Sequence, residues 1–119
     1  MAQDSLFSSG RPALIVPLTG TNQVEVRGQI SRIPRGADLV EWRLDQLRDY
    51  HHPAYLREIV KSVAPVIKLP WLATCRSTQQ GGGSRMVPTH QLETMKMLVK
   101  AGASALDIEA VSYTHLRAH

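Results

Sequence analysis

Glu41 and Arg43 stand two residues apart in DLVEWRLDQLRD, residues 38–49, within a stretch whose apolar content otherwise marks a buried strand. Side chains two apart along a strand project from the same face, so this carboxylate and guanidinium would lie together. A guanidinium can fork onto an oxyanion, and a carboxylate accepts hydrogen bonds from hydroxyls. The pair therefore suits a small ligand carrying both kinds of group. It equally suits a structural ion pair, because a buried charge without a partner costs several kcal/mol.

The same alternation groups Leu72, Thr74 and Arg76 in WLATCR, and Ala105, Asp107 and Glu109 in SALDIE. Arg76 leads into STQQGGGSR, residues 77–85, whose glycines lack the spacing and the lysine of dinucleotide and phosphate loops. That segment reads as a flexible flap over a site mouth. His51 and His52 lie in a turn before Pro53 with no Cys, Asp or His partner at ligand spacing, so no metal site is expected. His90 opens a helix and reads as a surface residue, and Met95 and Met97 carry no assigned role.

Four short apolar runs must position these residues: ALIVPLTG (13–20), ADLVEWR (37–43), WLATCR (71–76) and SALDIE (104–109). Between them lie three amphipathic segments. The first spans Thr21 to Ile33, with Val26, Ile30 and Ile33 on one face, and stops at Pro34-Arg35-Gly36. The second, PAYLREIVKSVA, sets Leu56, Ile59, Val60 and Val63 on one face. The third runs from Val87 with Leu92, Met95 and Val99 as its apolar stripe and Gly102 as its stop.

The order β-α-β-α-β-α-β calls for a parallel sheet covered by helices. An open α/β sheet and a (β/α)8 barrel both produce it. In each charged strand one residue set turns polar towards the C-terminal end, as in a barrel interior packed below and polar on top. A whole barrel takes about 250 residues. The expected fold class is thus α/β, a partial (β/α)8 TIM barrel of about its first four βα units, truncated at the C-terminus.

Bulk properties narrow the function. At 119 residues and 43% hydrophobic, the chain suffices for one core. Its net charge of +4 comes from 14 Lys and Arg scattered among ten acids, which favours an anionic small molecule over nucleic acid. The single cysteine, Cys75, excludes an internal disulfide, fits a reducing compartment and reads as a buried small hydrophobe. No segment approaches the roughly 20 apolar residues of a membrane span, and MAQDSLFSSG lacks the pattern of a secretion signal, so a cytoplasmic protein is expected.

With these elements in place, the chain resembles the type I 3-dehydroquinate dehydratases from about Ala13 to Ala110. The resemblance rests on VPLTG, GADLVEWRLD (36–45), CRSTQQGG (75–82) and AGASALDIE (101–109), of which EWRLD is the most specific. It implies a usually dimeric barrel that eliminates water from 3-dehydroquinate to give 3-dehydroshikimate in the shikimate pathway. No metal or diffusible cofactor is implied, because a lysine forms a Schiff base with the substrate ketone. Carried over by position, Glu41, Trp42, Arg43 and Arg76 become substrate-binding residues, with Gln80, Asp107 and Glu109 as further candidates. Gln80 departs from the family's usual glutamate, and Pro17 stands where some members have a polar residue.

The family continues past the DIE strand with a histidine in an NHD-like segment and then the Schiff-base lysine. Neither segment occurs here, and neither His115 nor Lys100 is assigned to those roles. The expected organisation is an N-terminal extension (1–12), the N-terminal half of the barrel (13–110) and a non-native tail (111–119). This chain alone is expected to lack dehydratase activity. The competing reading is a non-catalytic anion-binding or interaction domain derived from a barrel. In either case uncovered sheet edges predict aggregation or pairing.

Overall fold

The computed structural model describes residues 12–76 and 88–109. Residues 1–11 of the expected extension, the glycine-rich flap with Gln80, and the tail with His115 lie outside the described residues. The described chain alternates strand and helix: β1 (Ile15–Leu18), α1 (Gln23–Ser31), β2 (Leu39–Arg43), α2 (Pro53–Val63), β3 (Trp71–Arg76), α3 (Pro88–Ala101) and β4 (Ala105–Glu109). The four strands form one parallel sheet in the order β1-β2-β3-β4. The architecture is α/β, as the alternating pattern predicts.

Local chemistry explains the first helix. Asn22 caps α1 by accepting from the Glu25 amide at 2.9 Å, and Glu25 Oε1 reaches back to the Thr21 amide at 2.8 Å. One orphan donor of the first turn is thereby satisfied, together with the Thr21 amide that precedes the cap. Gln29 Oε1 then accepts from the amides of Thr19 and Gly20, tying the end of β1 to the helix. Gly20 is required there: a Cβ would stand 2.7 Å from the Val26 nitrogen.

The second helix opens on Pro53 and buries Leu56, Ile59, Val60 and Val63, the four residues its spacing selects. Each contributes about 1.5–3 kcal/mol when fully buried. Together with Val26 and Leu98 they meet Val40, Trp42, Trp71, Ala73 and Cys75 in one core. The rings of Trp42 and Trp71 lie 5.6 Å apart at 55°.

Helix α3 corrects the expected stripe. Gln91, Thr94 and Leu98 are buried, whereas Leu92 and Val99 are 47% and 58% exposed. Gln91 and Leu98 are seven apart, as are Leu92 and Val99, so the two sets are offset by one residue, about 100° around the helix. The helix has turned two polar side chains inward and left an apolar edge outward. Its end follows expectation: Gly102 adopts φ 112°, and the amides of Gly102 and Ala103 bond back to Val99 and Leu98.

Candidate substrate-binding face

The sheet register sorts the sequence-predicted residues. Pro17, Glu41, Leu72 and Ala105 form one row across the four strands, Arg43, Thr74 and Asp107 the next, and Arg76 pairs with Glu109 beyond it. The other face of β2 and β3, with Val40, Trp42, Trp71, Ala73 and Cys75, lies in the core with the helices. Glu41 and Arg43 therefore share the face turned away from that core, with Arg43 at the strand's C-terminal end.

Neither residue stands alone. Glu41 is half-buried and its Oε2 accepts a 2.9 Å hydrogen bond from Thr74 Oγ1, a hydroxyl with no exposure. Arg43 does not fork onto Glu41. It forks onto Asp45, Nε to Oδ1 at 3.2 Å and Nη2 to Oδ2 at 2.9 Å, and Gln46 Nε2 adds a third donor to Oδ2 at 3.2 Å. The hydrogen bond to Asp45 strengthens the guanidinium's hold on its proton against the opposing effect of burial, with the charges of Asp45 and Glu41 adding to it.

Backbone geometry makes this fork available. Strand β2 runs straight into a 3-10 turn, Leu44–Gln46, closed by the Leu47 amide on the Leu44 carbonyl at 3.1 Å. Leu44 is fully buried and anchors the turn. Asp45 is thereby carried back beside Arg43 with its side chain only 2% exposed, against 25% for Arg43. Sequence reasoning passed over Asp45, although it lies in the EWRLD signature, because a single 3-10 turn leaves no hydrophobic period to read. Thr74 was on the correct face of WLATCR but was assigned no role.

Tyr50 and Cys75 are both buried, near enough to each other and to Asp45 to perturb one another's ionisation. Burial, above all, pushes the Cys75 thiol up to about 12, opposed by Tyr50 and reinforced by Asp45 and Asp107. Burial likewise raises the Tyr50 phenol well above its ordinary range, with Cys75 and Asp45 adding to it. Cys75 is the buried, inert cysteine its apolar setting predicts.

The remaining candidates divide. Arg76 is exposed at the end of β3, and Asp107 is exposed on β4 opposite Thr74. The backbone sets Glu109 opposite Arg76. Trp42 departs from the expected substrate contact: it is 0% exposed and packs on Trp71 within the helix-facing core, because its intervening place in the alternation turns it away from Glu41 and Arg43. Gln80 falls outside the described residues. Among the described residues no group of three or more His, Cys, Asp or Glu is placed to hold a metal ion. No described helix is long and apolar enough to cross a membrane.

What this face can do is bind. Glu41 offers acceptors to hydroxyl groups, and Arg43 offers the donors that Asp45 leaves over.

Comparison with known proteins points to one family. A family model described as type I 3-dehydroquinase matches residues 14–118, running past the boundary at 110 drawn from the sequence. The 3-dehydroquinate dehydratase of Klebsiella pneumoniae is 27% identical over 106 residues, covering 87% of this chain and 42% of the relative. That of Lactiplantibacillus plantarum is 29% identical over 106 residues, with the same coverage of 87% and 42%. A bifunctional 3-dehydroquinate dehydratase/shikimate dehydrogenase of Arabidopsis thaliana is 35% identical over 74 residues, 62% of this chain and 12% of the relative. The chain thus spans less than half the length of these relatives.

Proposed function

We propose that this chain, which belongs to the type I 3-dehydroquinase family, forms the first four βα units of a (β/α)8 barrel and supplies the substrate-binding part of a 3-dehydroquinate dehydratase site. One observation carries this reading: Glu41 and Arg43 share the sheet face opposite the helix-packed core, with Arg43 at the C-terminal end of β2. In a barrel that face is the interior, and the C-terminal ends of its strands carry the chemistry. Burying Glu41 and Arg43 beneath a second helix layer would lack this rationale.

The substrate has a carboxylate, a ketone and hydroxyls. Glu41 accepts from hydroxyls, and Arg43 and Arg76 donate to hydroxyl or anionic oxygens. Asp107, Glu109 and Gln80 complete the proposed surroundings, while Trp42 holds β2 to the helix layer. The imine mechanism that the family resemblance implies forms a carbon–nitrogen double bond between a lysine and the ketone, releasing water. A histidine then takes a proton from the neighbouring carbon and returns it to the departing hydroxyl, giving the alkene and a second water; hydrolysis of the imine consumes one water and frees the product. An imine-forming lysine needs a site that lowers its proton affinity. The lysines Lys61, Lys68, Lys96 and Lys100 are all exposed. The reactive amine and the proton carrier are assigned to no described residue, and the complete enzyme is proposed as a cytoplasmic homodimer.

Two-dimensional amide spectra during addition of 3-dehydroquinate test the reading. Shifts should concentrate at Glu41–Gln46 and Thr74–Arg76. Shifts confined to the helices, or none at saturating ligand, would contradict it. Borohydride added with the substrate should leave the intact mass unchanged, and a reduced adduct on any of the four lysines would overturn their exclusion.

A further inference from the structure

Arg43 meets its ligand with one edge already occupied. A guanidinium has five N–H donors arranged along two forked edges. Asp45 takes the edge formed by Nε and Nη2, one carboxylate oxygen to each nitrogen, at 3.2 and 2.9 Å. Three donors and the edge formed by Nη1 and Nη2 remain. Asp45 itself is sealed off, since its side chain is 2% exposed, whereas Arg43 at 25% still reaches the open face.

We infer that Asp45 is the positioning residue of this face: by clamping the side-on edge of Arg43 it fixes the guanidinium plane, so that an oxygen-bearing ligand meets only the outer edge. The inference rests on the reading of the face as a substrate site and adds to it a residue that acts solely through Arg43. Three features of the fold support it. The 3-10 turn Leu44–Gln46 carries Asp45 back beside Arg43, and fully buried Leu44 holds that turn. Gln46 donates a further bond to Asp45 Oδ2, which restrains the carboxylate from a second side. Thr74 restrains Glu41 in the neighbouring row, so both polar groups of β2 are held before any ligand arrives. Holding donors in place beforehand removes much of the ordering cost that binding otherwise meets.

A free arginine would choose between side-on and end-on contact to suit its ligand, and this one cannot. Asp45→Asn keeps the shape but replaces one accepting oxygen by a donor, which frees the guanidinium to rotate.

The test is a double-mutant cycle on 3-dehydroquinate binding, measured by calorimetry on the full chain. Asp45→Asn should weaken binding about tenfold when Arg43 is present and leave it unchanged in an Arg43→Ala background. Equal weakening in both backgrounds, or none in either, would overturn the inference. A purely structural role for Asp45 would lower the melting temperature without that dependence on Arg43. A second measurement needs neither ligand nor a folded variant: the Arg43 side-chain Nε–H signal in a nitrogen-15-labelled sample. A clamped guanidinium gives a resolved, slowly exchanging signal, and a signal averaged with solvent would overturn the clamp. Absence of binding by the wild type, with a slowly exchanging Nε–H, would refute the substrate reading while sustaining the positioning of Arg43.

Discussion

Thr74 on β3 holds Glu41 on β2 through a 2.9 Å hydrogen bond that runs diagonally across the sheet, since the register partner of Glu41 is Leu72. The donor is fully buried and the acceptor half-buried, so the bond orients one carboxylate oxygen and leaves the other for a ligand. Hydrogen bonds to charged groups contribute about 1.5–3 kcal/mol. Thr74→Val, which keeps the shape and removes the hydroxyl, should therefore cost about 1.5 kcal/mol, read from the urea midpoint. Thr74→Ser should recover most of it.

Trp42 on β2 packs beside Trp71 of β3 in the core that the sheet shares with the helices. Trp42→Ala should destabilise the chain by about 3–5 kcal/mol, the usual cost of emptying an aromatic site. Trp42→Phe should cost markedly less. Thermal unfolding followed by circular dichroism measures both, and a loss under 1 kcal/mol for Trp42→Ala would contradict the burial described.

Cys75 gives a dependence on pH. Its thiol moves from an ordinary 9.0 in the unfolded chain up to about 12 in the folded one. The folded state therefore holds its proton where the unfolded state has released it. This contribution to stability is fully present below pH 9.0 and is lost as pH rises towards about 12. Urea midpoints should fall across that window more steeply in the wild type than in Cys75→Ala. At pH 8 the native thiol should resist a disulfide reagent that modifies the unfolded chain readily.

Gly20 sits within the loop after β1 in a space with no room for a side chain, its would-be Cβ lying 2.7 Å from the Val26 nitrogen and 2.9 Å from Glu25. Gly20→Ala should cost about 1–3 kcal/mol by forcing the start of α1 aside. Amide exchange should quicken first at Glu25 and Val26, whose N–H groups close the first turn on Asn22.

Much of this arrangement was legible in the sequence. The strand WLATCR falls on β3 residue for residue, and α2 buries the four apolar positions that its spacing selects. Alternation along β2 was enough to set Glu41 and Arg43 on one face and Trp42 on the other, although the family resemblance had also made Trp42 a substrate contact. Two things were not legible. The inward face of α3 is chosen by how the helix sits on the sheet, and it buries Gln91 and Thr94 where counting apolar residues selected Leu92 and Val99. The partner of Arg43 depends on a three-residue turn with no period of its own, so Asp45 stayed hidden inside a motif read for its neighbours.

The proposed dehydratase role requires that the face holding Glu41 and Arg43 bind 3-dehydroquinate. Titration calorimetry of 3-dehydroquinate into the wild-type chain and Glu41→Gln tests it most directly, since glutamine keeps the shape and an acceptor for Thr74 while removing the charge. Saturable binding to the wild type at one site per chain and about tenfold weaker binding to Glu41→Gln are expected, with both chains equally folded by circular dichroism. No binding to the wild type, or equal affinity for the two, would contradict it.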